Sequence, residues 1–468
     1  MAIPGSNFYA EHIKVYPQRI LGRFRVLKWV TLGTLLSIYY LAPWLRWDRG
    51  PGAPDQALLI DMPGRRAYFF WVEIWPQEVY YLTGLLILGA IGLFLATALL
   101  GRVWCGFTCP QTVWTDLFMQ VERWIEGDRN ARIKLDAEPW SLGKLGRKLA
   151  KHGIWLVIAA LTGGAWVMYF NDAPTLVKSL ATFQASPSQY GFIGLFTATT
   201  YVLAGWAREQ VCIYMCPWPR FQAAMFDEHS LIVTYETWRG EPRGHMKKDQ
   251  DFAGRGDCID CGLCVRVCPT GIDIRNGQQL ACIGCALCVD ACNSVMTKIG
   301  RPLELITYDS LSNQAERAAG RKERYHFVRP RTIIYAVALV VVAIGMMAAL
   351  SLRGTVEVTV QGDRSPLFVR LADGEIQNGY TLKISNKQRN DVTFSLTAAG
   401  PAGMEMKIIG GDAANLTVSP DRVGTYRMLL HVPRKVLKSK SSPITITVRN
   451  TTTGEESQHA AIFNAPGE

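Results

Sequence analysis

Apolar residues gather in five runs of about the length that crosses a membrane as a helix. The runs cover residues 26–45, 79–100, 154–170, 190–207 and 332–352. The third and fourth are short, whereas the stretch from Ile333 to Leu352 contains no charged residue. A helix of a soluble core would carry a polar face, so the pattern predicts membrane-spanning helices. Glu11, Lys14 and Arg19 precede the first run without a small-residue cleavage site, which predicts a retained anchor.

Charged residues follow the division made by these runs. Lysine and arginine are dense before the first run, after the second and before the fifth, whereas the loop between the third and fourth has only Lys178. By the positive-inside rule this predicts a multi-pass protein of the bacterial inner membrane with a cytoplasmic N-terminus and a periplasmic C-terminal part. The net charge of +11 then reflects topology and attraction to anionic lipid. Nucleic-acid binding is disfavoured because the basic residues lie at membrane edges.

Beyond residue 354 the hydrophobic pattern alternates residue by residue. Short alternating runs, separated by turn residues, lie at 356–360, 367–371, 380–385, 392–397, 404–409, 416–419, 425–432 and 444–448. They predict an antiparallel β-sandwich, with a small β-barrel as the alternative. His431 and His459 stand alone, so no ligand cluster marks this part, and we expect an interaction role outside the membrane.

All twelve cysteines precede residue 353, on the side predicted to be cytoplasmic. This distribution suits thiolate–metal chemistry in a reducing compartment better than disulfides. Eight of them form two runs with the x2-x2-x3 spacing that folds around a cubane iron–sulfur cluster. These are Cys258, Cys261, Cys264 and Cys268, then Cys282, Cys285, Cys288 and Cys292. A zinc knuckle is the weaker alternative because it usually shows two CxxC pairs.

The fourth cysteine of each run is expected to reach the cluster of the other run. One [4Fe–4S] cluster is therefore assigned to Cys258, Cys261, Cys264 and Cys292, and the second to Cys282, Cys285, Cys288 and Cys268. Gly262, Gly284 and Ala286 are expected to keep the loops tight. Pro269 follows the first run, whereas Asn293 stands at the equivalent place in the second. That difference predicts a looser turn after Cys292 without loss of a ligand.

The other four cysteines form an internal repeat. Each pair reads CxxxCP just beyond an apolar run, Cys105 with Cys109 after the second and Cys212 with Cys216 after the fourth. Proline favours the first position of a helix, so Cys109 and Cys216 are expected at helix N-termini, where the dipole favours thiolate. Two pairs on helices of the same direction could form one four-sulfur site for Cu(I), zinc or a third iron–sulfur cluster. Two unrelated buried pairs are the alternative, which the repetition disfavours.

Two absences from the sequence narrow the chemistry. No histidine lies within an apolar run, so a transmembrane haem pair is not predicted. Neither a GxGxxG motif between a strand and a helix nor a P-loop occurs, so nicotinamide binding and nucleotide hydrolysis lack support.

The order of these parts resembles the cytochrome c oxidase accessory proteins called CcoG, FixG or RdxA. Paired CxxxCP motifs on membrane helices, a dicluster ferredoxin insert, one further span and a sandwich carry the resemblance over essentially the whole chain. The segments Asp61-Met62-Pro63-Gly64-Arg65 and Trp75-Pro76-Gln77 also look like that family. Membrane ferredoxins of the NapH and NosR types share the cysteine motifs but are not expected to share the sandwich.

The resemblance implies a role in assembling the cbb3-type haem–copper oxidase, with Cu(II) reduced to Cu(I) before insertion. It implies two [4Fe–4S] clusters on the eight ferredoxin cysteines. It also makes a catalytic, copper-binding site of Cys105, Cys109, Cys212 and Cys216. The implied partners are membrane lipid, a cytoplasmic electron donor, the copper ion, and oxidase subunits or copper-delivery proteins. The family is often taken to be dimeric, which the sequence itself does not show.

The predicted fold is mixed. Residues 1–250 are expected to form an N-terminal arm and a four-span α-helical membrane domain, and 251–305 a dicluster ferredoxin domain. Residues 306–353 would form a basic linker and the fifth transmembrane helix, and 354–468 a periplasmic immunoglobulin-like β-sandwich. The predicted function is that of a membrane-bound cupric reductase. One alternative is an electron-transfer subunit of a quinol or respiratory complex, and another is a non-enzymatic copper chaperone or assembly scaffold.

Overall fold

A computed structural model describes residues 14–50, 53–245, 252, 254–352, 356–388, 390–420, 422–437 and 439–466. Glu11 of the predicted anchor and the predicted domain boundaries at 250/251 and 353/354 fall outside the described residues. The described chain divides into two compact units. The first contains the residues up to Trp47 and Asp55–Met346, and the second those within Asp48–Pro54 and Met347–Glu468.

Helices make up most of the first unit. In chain order they are α1 (Arg23–Leu41), α2 (Tyr80–Leu100), α3 (Pro110–Glu126), α4 (Arg129–Ala137), α5 (Leu142–Met168), α6 (Ala173–Ala181), α7 (Pro187–Thr200), α8 (Trp218–Met225), α9 (Thr237–Gly240), α10 (Leu263–Val267), α11 (Leu287–Lys298), α12 (Leu311–Ala318) and α13 (Pro330–Ser351). Its strands are β1 (Leu58–Asp61), β2 (Arg66–Phe69), β3 (Val72–Ile74), β4 (Ile232–Tyr235) and β5 (Ile306–Asp309).

Three helical segments are long and apolar enough to cross a membrane. They are Arg23–Trp44, Tyr80–Leu100 and Pro330–Ser351, with mean hydropathies of 1.2, 2.3 and 2.7. The third and fourth predicted spans also fold as helices, in α5 and α7, but neither meets this test among the described residues. The reason is local: lysine and arginine fill the first turns of α5, and α7 gives way to a π-helical segment at Tyr201–Ala207. Of the five predicted spans, three therefore have the length and composition that a membrane-spanning helix requires.

The helix after the second apolar run, α3, packs against the helix of the third run and the end of the fourth. Phe118 of α3, Trp155 of α5 and Ala204 form a buried apolar cluster, and the Trp155 indole N–H donates to the Phe118 carbonyl at 3.0 Å. Through this cluster α3 is held against α5 and the Tyr201–Ala207 segment. The two CxxxCP motifs, which lie at the ends of these elements, are therefore fixed relative to one another.

A two-stranded antiparallel ladder encloses the ferredoxin segment. Strand β4 pairs with β5 in the register Ile232↔Asp309 to Tyr235↔Ile306. Between these strands lie α10 and α11, and a core that includes Val289, Met296 and Leu305 fills the space beneath them. Because the ladder begins at Ile232, the ferredoxin fold includes residues on both sides of the predicted segment 251–305.

The start of α1 is tied to this ferredoxin fold. The carboxylate of Asp290 in α11 accepts hydrogen bonds from the backbone N–H groups of Phe24 at 3.2 Å and Arg25 at 2.8 Å. The first N–H groups of a helix have no partner within it. Asp290 therefore acts as an N-cap supplied by a distant part of the chain.

The second unit is a two-sheet β-sandwich. Its strands are β6 (Val356–Gly362), β7 (Val369–Arg370), β8 (Glu375–Asn386), β9 (Val392–Ala399), β10 (Glu405–Ile409), β11 (Leu416–Val418), β12 (Val423–Pro433), β13 (Ser441–Asn450) and β14 (Glu456–Asn464). One sheet has the order β10-β12-β8-β6 with β7 beside β8, and the other β11-β9-β13-β14. Two separate sheets confirm the sandwich over the barrel. The sequence missed β14, an edge strand whose side chains are mostly part-exposed.

Candidate iron–sulfur and thiol site

Four cysteines of the ferredoxin segment surround one cavity of about 370 Å³. They are Cys258, Cys261, Cys264 and Cys292. A second cavity of about 340 Å³, open solvent included, is lined by Cys268, Cys282, Cys285 and Cys288, and Cys264 of the first group lines it as well. Cys268, the last cysteine of the first run, thus lies with the second run, and Cys292, the last cysteine of the second run, lies with the first. These groups have the same members as the predicted ligand sets, whose role as ligands stays a prediction.

The thiols fit iron–sulfur ligation by their chemistry. All are free, without a disulfide. Burial raises the pKa of Cys264 to about 11 and that of Cys292 to about 12, so without iron these thiols are neutral at physiological pH. No group of three or more potential ligands in the described residues is arranged to hold a single metal ion. A cubane cluster offers a separate iron to each thiolate, so its ligands stand farther apart than those of one ion.

Both cluster loops use left-handed backbone at matching positions. Gly262 and Ala286, with φ of 64° and 55°, precede α10 and α11 as their N-caps. Asp260 and Gly284 are the second matching pair, with φ of 51° and 71°. Left-handed residues turn the chain sharply, which brings the three close cysteines of each run around one centre.

The two loops end differently. Helix α10 stops at Val267, before Cys268 and Pro269, because proline removes a backbone donor and restricts the residue before it. Helix α11 instead continues through Asn293 to Lys298. The Asn293 side chain accepts a hydrogen bond from the Glu304 N–H at 2.8 Å. The expectation of a looser turn after Cys292 is therefore wrong, since a continuous helix replaces the turn.

The two CxxxCP motifs share one local fold. Gly101 and Arg208, at equivalent places before the motifs, both have positive φ, 60° and 38°. A π-helical turn follows in each copy, at Trp104–Thr108 and Val211–Met215. Each turn is closed by the N–H of the second cysteine, which donates to the first carbonyl of the turn at 2.8 Å. The repeat seen in the sequence is thus also a structural repeat.

The second cysteines differ slightly in position. Cys109 is the N-cap of α3, with Pro110 as its first residue. In the other copy Pro217 is the N-cap of α8, so Cys216 lies one residue before the helix. The prediction that the second cysteines lie at helix N-termini is confirmed for Cys109. Cys216 lies one residue before the N-cap.

All four CxxxCP thiols lie in one region. Burial raises the pKa of Cys105 to about 12, and the charges of Cys109, Cys212 and Cys216 raise this pKa further. Cys216 is exposed, whereas the others are partly buried. The region therefore has one thiol open to solvent and three shielded from it. Cys105 and Cys212 pack against the same apolar cluster, and no three or more of the thiols among the described residues are arranged to hold one ion.

The first CxxxCP loop lies directly against the second cluster loop. A methyl group at Gly106 would come within 2.9 Å of the Gly284 carbonyl oxygen and 3.1 Å of the Cys285 Cα. Cys105 and Cys212 pack against an apolar cluster that contains Cys285. The paired thiols therefore adjoin the cavity of Cys268, Cys282, Cys285 and Cys288, and not the cavity of the first run.

Arg102 holds this junction together. Its guanidinium donates to the carbonyls of Leu280 and Cys282 in the cluster loop. It also donates to the Pro219 carbonyl at 2.8 Å, just after the second CxxxCP motif. One side chain thus links both thiol motifs and the second cluster loop.

Two further side chains at the junction escaped prediction from the sequence. Gln222 of α8 is buried, accepts a hydrogen bond from the Cys105 thiol at 3.1 Å and donates to Thr97. Lys28 of α1 is buried beside Asp116, with 3.9 Å between nitrogen and oxygen, and lines a cavity with Cys212 and Ile283. Neither residue lies in a sequence motif. The position of Lys28 inside an apolar helix was the one sequence feature that could have pointed to a functional role.

Comparison with known proteins agrees with this architecture. Family models match residues 207–311 as a 4Fe-4S dicluster domain, 82–131 as a 4Fe-4S binding domain and 346–466 as the IG-like fold at the C-terminal of FixG. The first two matches contain all four CxxxCP cysteines. Fold and site together define an iron–sulfur electron-transfer protein with apolar helices and an immunoglobulin-like domain.

Relatives extend the match to the whole chain. Protein RdxB of Cereibacter sphaeroides is 48% identical over 99% of this chain and 98% of its own length. The nitrogen fixation protein FixG of Rhizobium meliloti is 47% identical over 98% of this chain and 94% of its own. Protein RdxA of C. sphaeroides is 50% identical over 91% of each. The chain belongs to the FixG, RdxA and RdxB family.

Proposed function

We propose that this protein is a membrane-bound cupric reductase, which converts Cu(II) to Cu(I) for the assembly of a cbb3-type oxidase. The observation that carries the proposal is the contact of the Gly106 loop with Gly284 and Cys285, which places a four-thiol region beside the second cluster loop. When bound, the two [4Fe–4S] clusters supply one-electron transfer. A one-electron acceptor at the paired thiols would lie next to that source.

The paired thiols suit copper as the substrate. Soft thiolate sulfur prefers Cu(I), so binding by Cys105, Cys109, Cys212 and Cys216 stabilises the product more than the substrate. The exposed Cys216 provides access from solvent, and the partly buried Cys105 and Cys212 would shield the reduced ion. Cu(II) gains one electron and no proton, so the step needs no acid–base residue.

The proposal places the protein in the bacterial inner membrane with five spans. Helices α5 and α7 would complete the bundle formed by α1, α2 and α13, with the ferredoxin segment cytoplasmic and the sandwich periplasmic. The partners would be lipid, a cytoplasmic-side electron donor, and oxidase subunits or copper-delivery proteins that bind the sandwich. Reporter fusions after residue 230 and after residue 466 test this topology: the first should report a cytoplasmic location and the second a periplasmic one.

Copper reduction itself can be measured with purified protein. Anaerobic, cluster-loaded and pre-reduced protein is mixed with Cu(II) and a chromophoric Cu(I) chelator, and cluster absorbance is followed together with Cu(I). We expect reoxidation of the clusters in step with Cu(I) formation. The double variant Cys109→Ser with Cys216→Ser should slow Cu(I) formation at least tenfold and keep cluster absorbance. Tyr214→Phe, a change at an exposed residue of the same loop, should leave both the rate of Cu(I) formation and the cluster absorbance unchanged.

Two results would count against the proposal. Clusters that stay reduced in the presence of Cu(II) would show that copper is not their acceptor. Full activity in the double serine variant would show that copper is reduced elsewhere.

A second candidate for the thiol region is a third iron–sulfur cluster. It is favoured by the 4Fe-4S binding domain match over 82–131, which contains Cys105 and Cys109. Iron and sulfide analysis separates the two proposals, since two clusters require about eight iron atoms per chain and three require about twelve. Loss of about four iron atoms in the double serine variant would establish the third cluster.

A further inference from the structure

A cavity of about 730 Å³, its open mouth included, lies beside residues 278–280 of the segment that leads into the second cluster loop. Its lining includes Arg102, Ala223 and Phe226 on one side and Gln279 and Leu280 on the other. Cavities of several hundred cubic ångströms that combine apolar walls with a few polar groups are typical small-molecule sites. The proposed function leaves this cavity without a role.

The cavity adjoins the second cluster loop. A smaller cavity shares Arg102, Phe226 and Gln279 with it and is lined in addition by Cys282 and Gly284. A molecule in the larger cavity would therefore lie beside a cysteine of the second group. The first CxxxCP loop approaches the same cluster loop at Gly106, so both the cavity and this thiol motif adjoin the second cluster loop.

The cavity also lies at the ends of two apolar helices. The Leu231 N–H donates to the Leu99 carbonyl near the end of α2 at 3.0 Å. Phe94 of α2 stacks on Trp218 of α8, with ring centroids 5.9 Å apart, and Tyr335 of α13 contacts Met225 of α8. Helix α8, which carries Ala223, is thus packed between two of the helices that are apolar enough to cross a membrane.

The polar groups of the cavity select the kind of ligand. Gln278 contributes an amide to the lining, whereas the amide nitrogen of Gln279 already donates to the Asp273 carbonyl. Asp227, which pairs with Arg329, is also in the lining, and its carboxylate disfavours a phosphate-bearing ligand. An uncharged aromatic ring with oxygen substituents matches these amides and the apolar wall of Phe226.

We propose that this cavity binds the ring of a membrane hydroquinone and is the electron input site of the protein. The inference rests on the proposed function, because it supplies the donor for the same clusters. Oxidation of one hydroquinone breaks two O–H bonds, releases two protons to water at the open mouth and yields a quinone. The cluster that Cys268, Cys282, Cys285 and Cys288 would hold supplies a one-electron acceptor beside the cavity, and two Cu(II) ions would take up the two electrons.

The test uses the full, cluster-loaded chain in lipid nanodiscs with menadiol as the donor. Ala223→Phe fills the cavity from α8, and Ala224→Phe adds the same group to the exposed neighbour. Anaerobic menadiol should bleach the clusters of the wild type and of Ala224→Phe at the same rate. It should bleach those of Ala223→Phe at least tenfold more slowly. A photoactivatable azidoquinone should label peptides within 218–232 and 278–282 in the same two proteins. Leu280→Asp, a change at the exposed rim, should weaken both readouts without disturbing the helix packing.

The outcomes separate this inference from the proposed function. Dithionite should reduce every variant equally, which shows that the clusters are intact. Equal menadiol rates in Ala223→Phe and Ala224→Phe, or azidoquinone label elsewhere in the chain, would overturn the quinol site and leave copper reduction standing. Menadiol bleaching without Cu(I) formation would support the site and overturn the copper proposal.

Discussion

At the scale of single residues, charge beside the thiols affects how easily the cluster they would hold accepts an electron. Lys28 is buried, and its ammonium lowers the pKa of Cys285 and of Cys212 against the larger, opposite effect of burial. A positive charge that stabilises thiolate also stabilises the extra negative charge of a reduced cluster. Lys28 is thus positioned to raise the reduction potential of the second cluster relative to the first.

Replacing Lys28 with methionine should therefore lower that potential. A loss of about 1 kcal/mol of Coulomb stabilisation corresponds to about 40 mV for one electron. An electron paramagnetic resonance redox titration would show the shift for one cluster and none for the other. Lys28→Arg keeps the charge and serves as the control; an equal shift in both variants would attribute the effect to packing.

A second buried charge, Glu122, stabilises the packing of α3. Its carboxylate lies 2.8 Å from Arg132, 3.1 Å from Arg208 and 3.6 Å from Lys151. Burial would raise the pKa of Glu122, but the cations outweigh burial and lower this pKa to about 2. The ionised form is therefore the stable one at every physiological pH.

Glu122→Gln should leave three cations without this partner and reduce the free energy of unfolding by about 3 kcal/mol. Because the pKa is lower in the folded state, the wild-type advantage is complete above about pH 4.5 and is lost as pH falls towards 2. Thermal unfolding of both proteins between pH 7 and pH 3 measures the difference. An advantage that grows on acidification would contradict this account.

The site residues could be predicted from the sequence where their spacing along the chain determines which metal or cluster they can bind. The twelve cysteines and their grouping follow from intervals of two and three residues, which a loop around a cluster requires. Gln222, Arg102 and Lys28 were not predictable as partners of the thiols, because their contacts join segments about 100 residues or more apart. No local pattern records such a contact.

At the scale of elements, a single residue sets the different lengths of the two ferredoxin helices. Helix α10 has five residues and precedes Pro269, whereas α11 has twelve and contains Asn293. The extra turns of α11 carry Met296 into the core under the cluster loops and bring Asn293 to the Glu304 N–H.

Asn293→Pro should break α11 after Cys292 and cost about 3 kcal/mol. Because Cys292 belongs to the first group of thiols, iron content should fall by about four atoms per chain. Asn293→Ala, which removes the Glu304 contact and keeps the helix, is the matched control and should retain its iron. Full cluster loading in the proline variant would show that α11 is not required beyond Cys292.

Helices and strands could be predicted from the sequence where burial of one face gives a regular pattern of apolar and polar residues. Eight strands of the sandwich show alternation in the sequence, whereas β14 has one buried residue, Phe463, and no clear alternation. The apolar runs of α5 and α7 resembled spans, yet lysines and a π-helical segment shorten their apolar length. Local sequence does not show where such irregularities begin.

At the scale of the whole molecule, the sandwich is a unit with its own core. Ile376, Leu382, Met428 and Ile446 are fully buried within it, and no cysteine occurs in this unit beyond residue 353. Its stability should therefore depend on neither iron nor thiol chemistry.

A fragment of residues 356–466 should fold on its own. We expect a single cooperative thermal transition, unchanged by reductants or iron chelators, when circular dichroism is followed. A chain ending at residue 352 should in turn keep its cluster absorbance. A fragment without cooperative unfolding would show that the sandwich needs the rest of the chain.

The Asp290 cap of α1 has a consequence for biogenesis. The carboxylate that completes the first turn of this helix is 266 residues away from Phe24 in the sequence. During translation the ribosome therefore delivers the first apolar helix long before its cap exists. Because Asp290 lies on α11 between Cys288 and Cys292, the helix that carries two of the proposed iron ligands also completes α1, so we expect metallation to be a late checkpoint in the maturation of the N-terminal half.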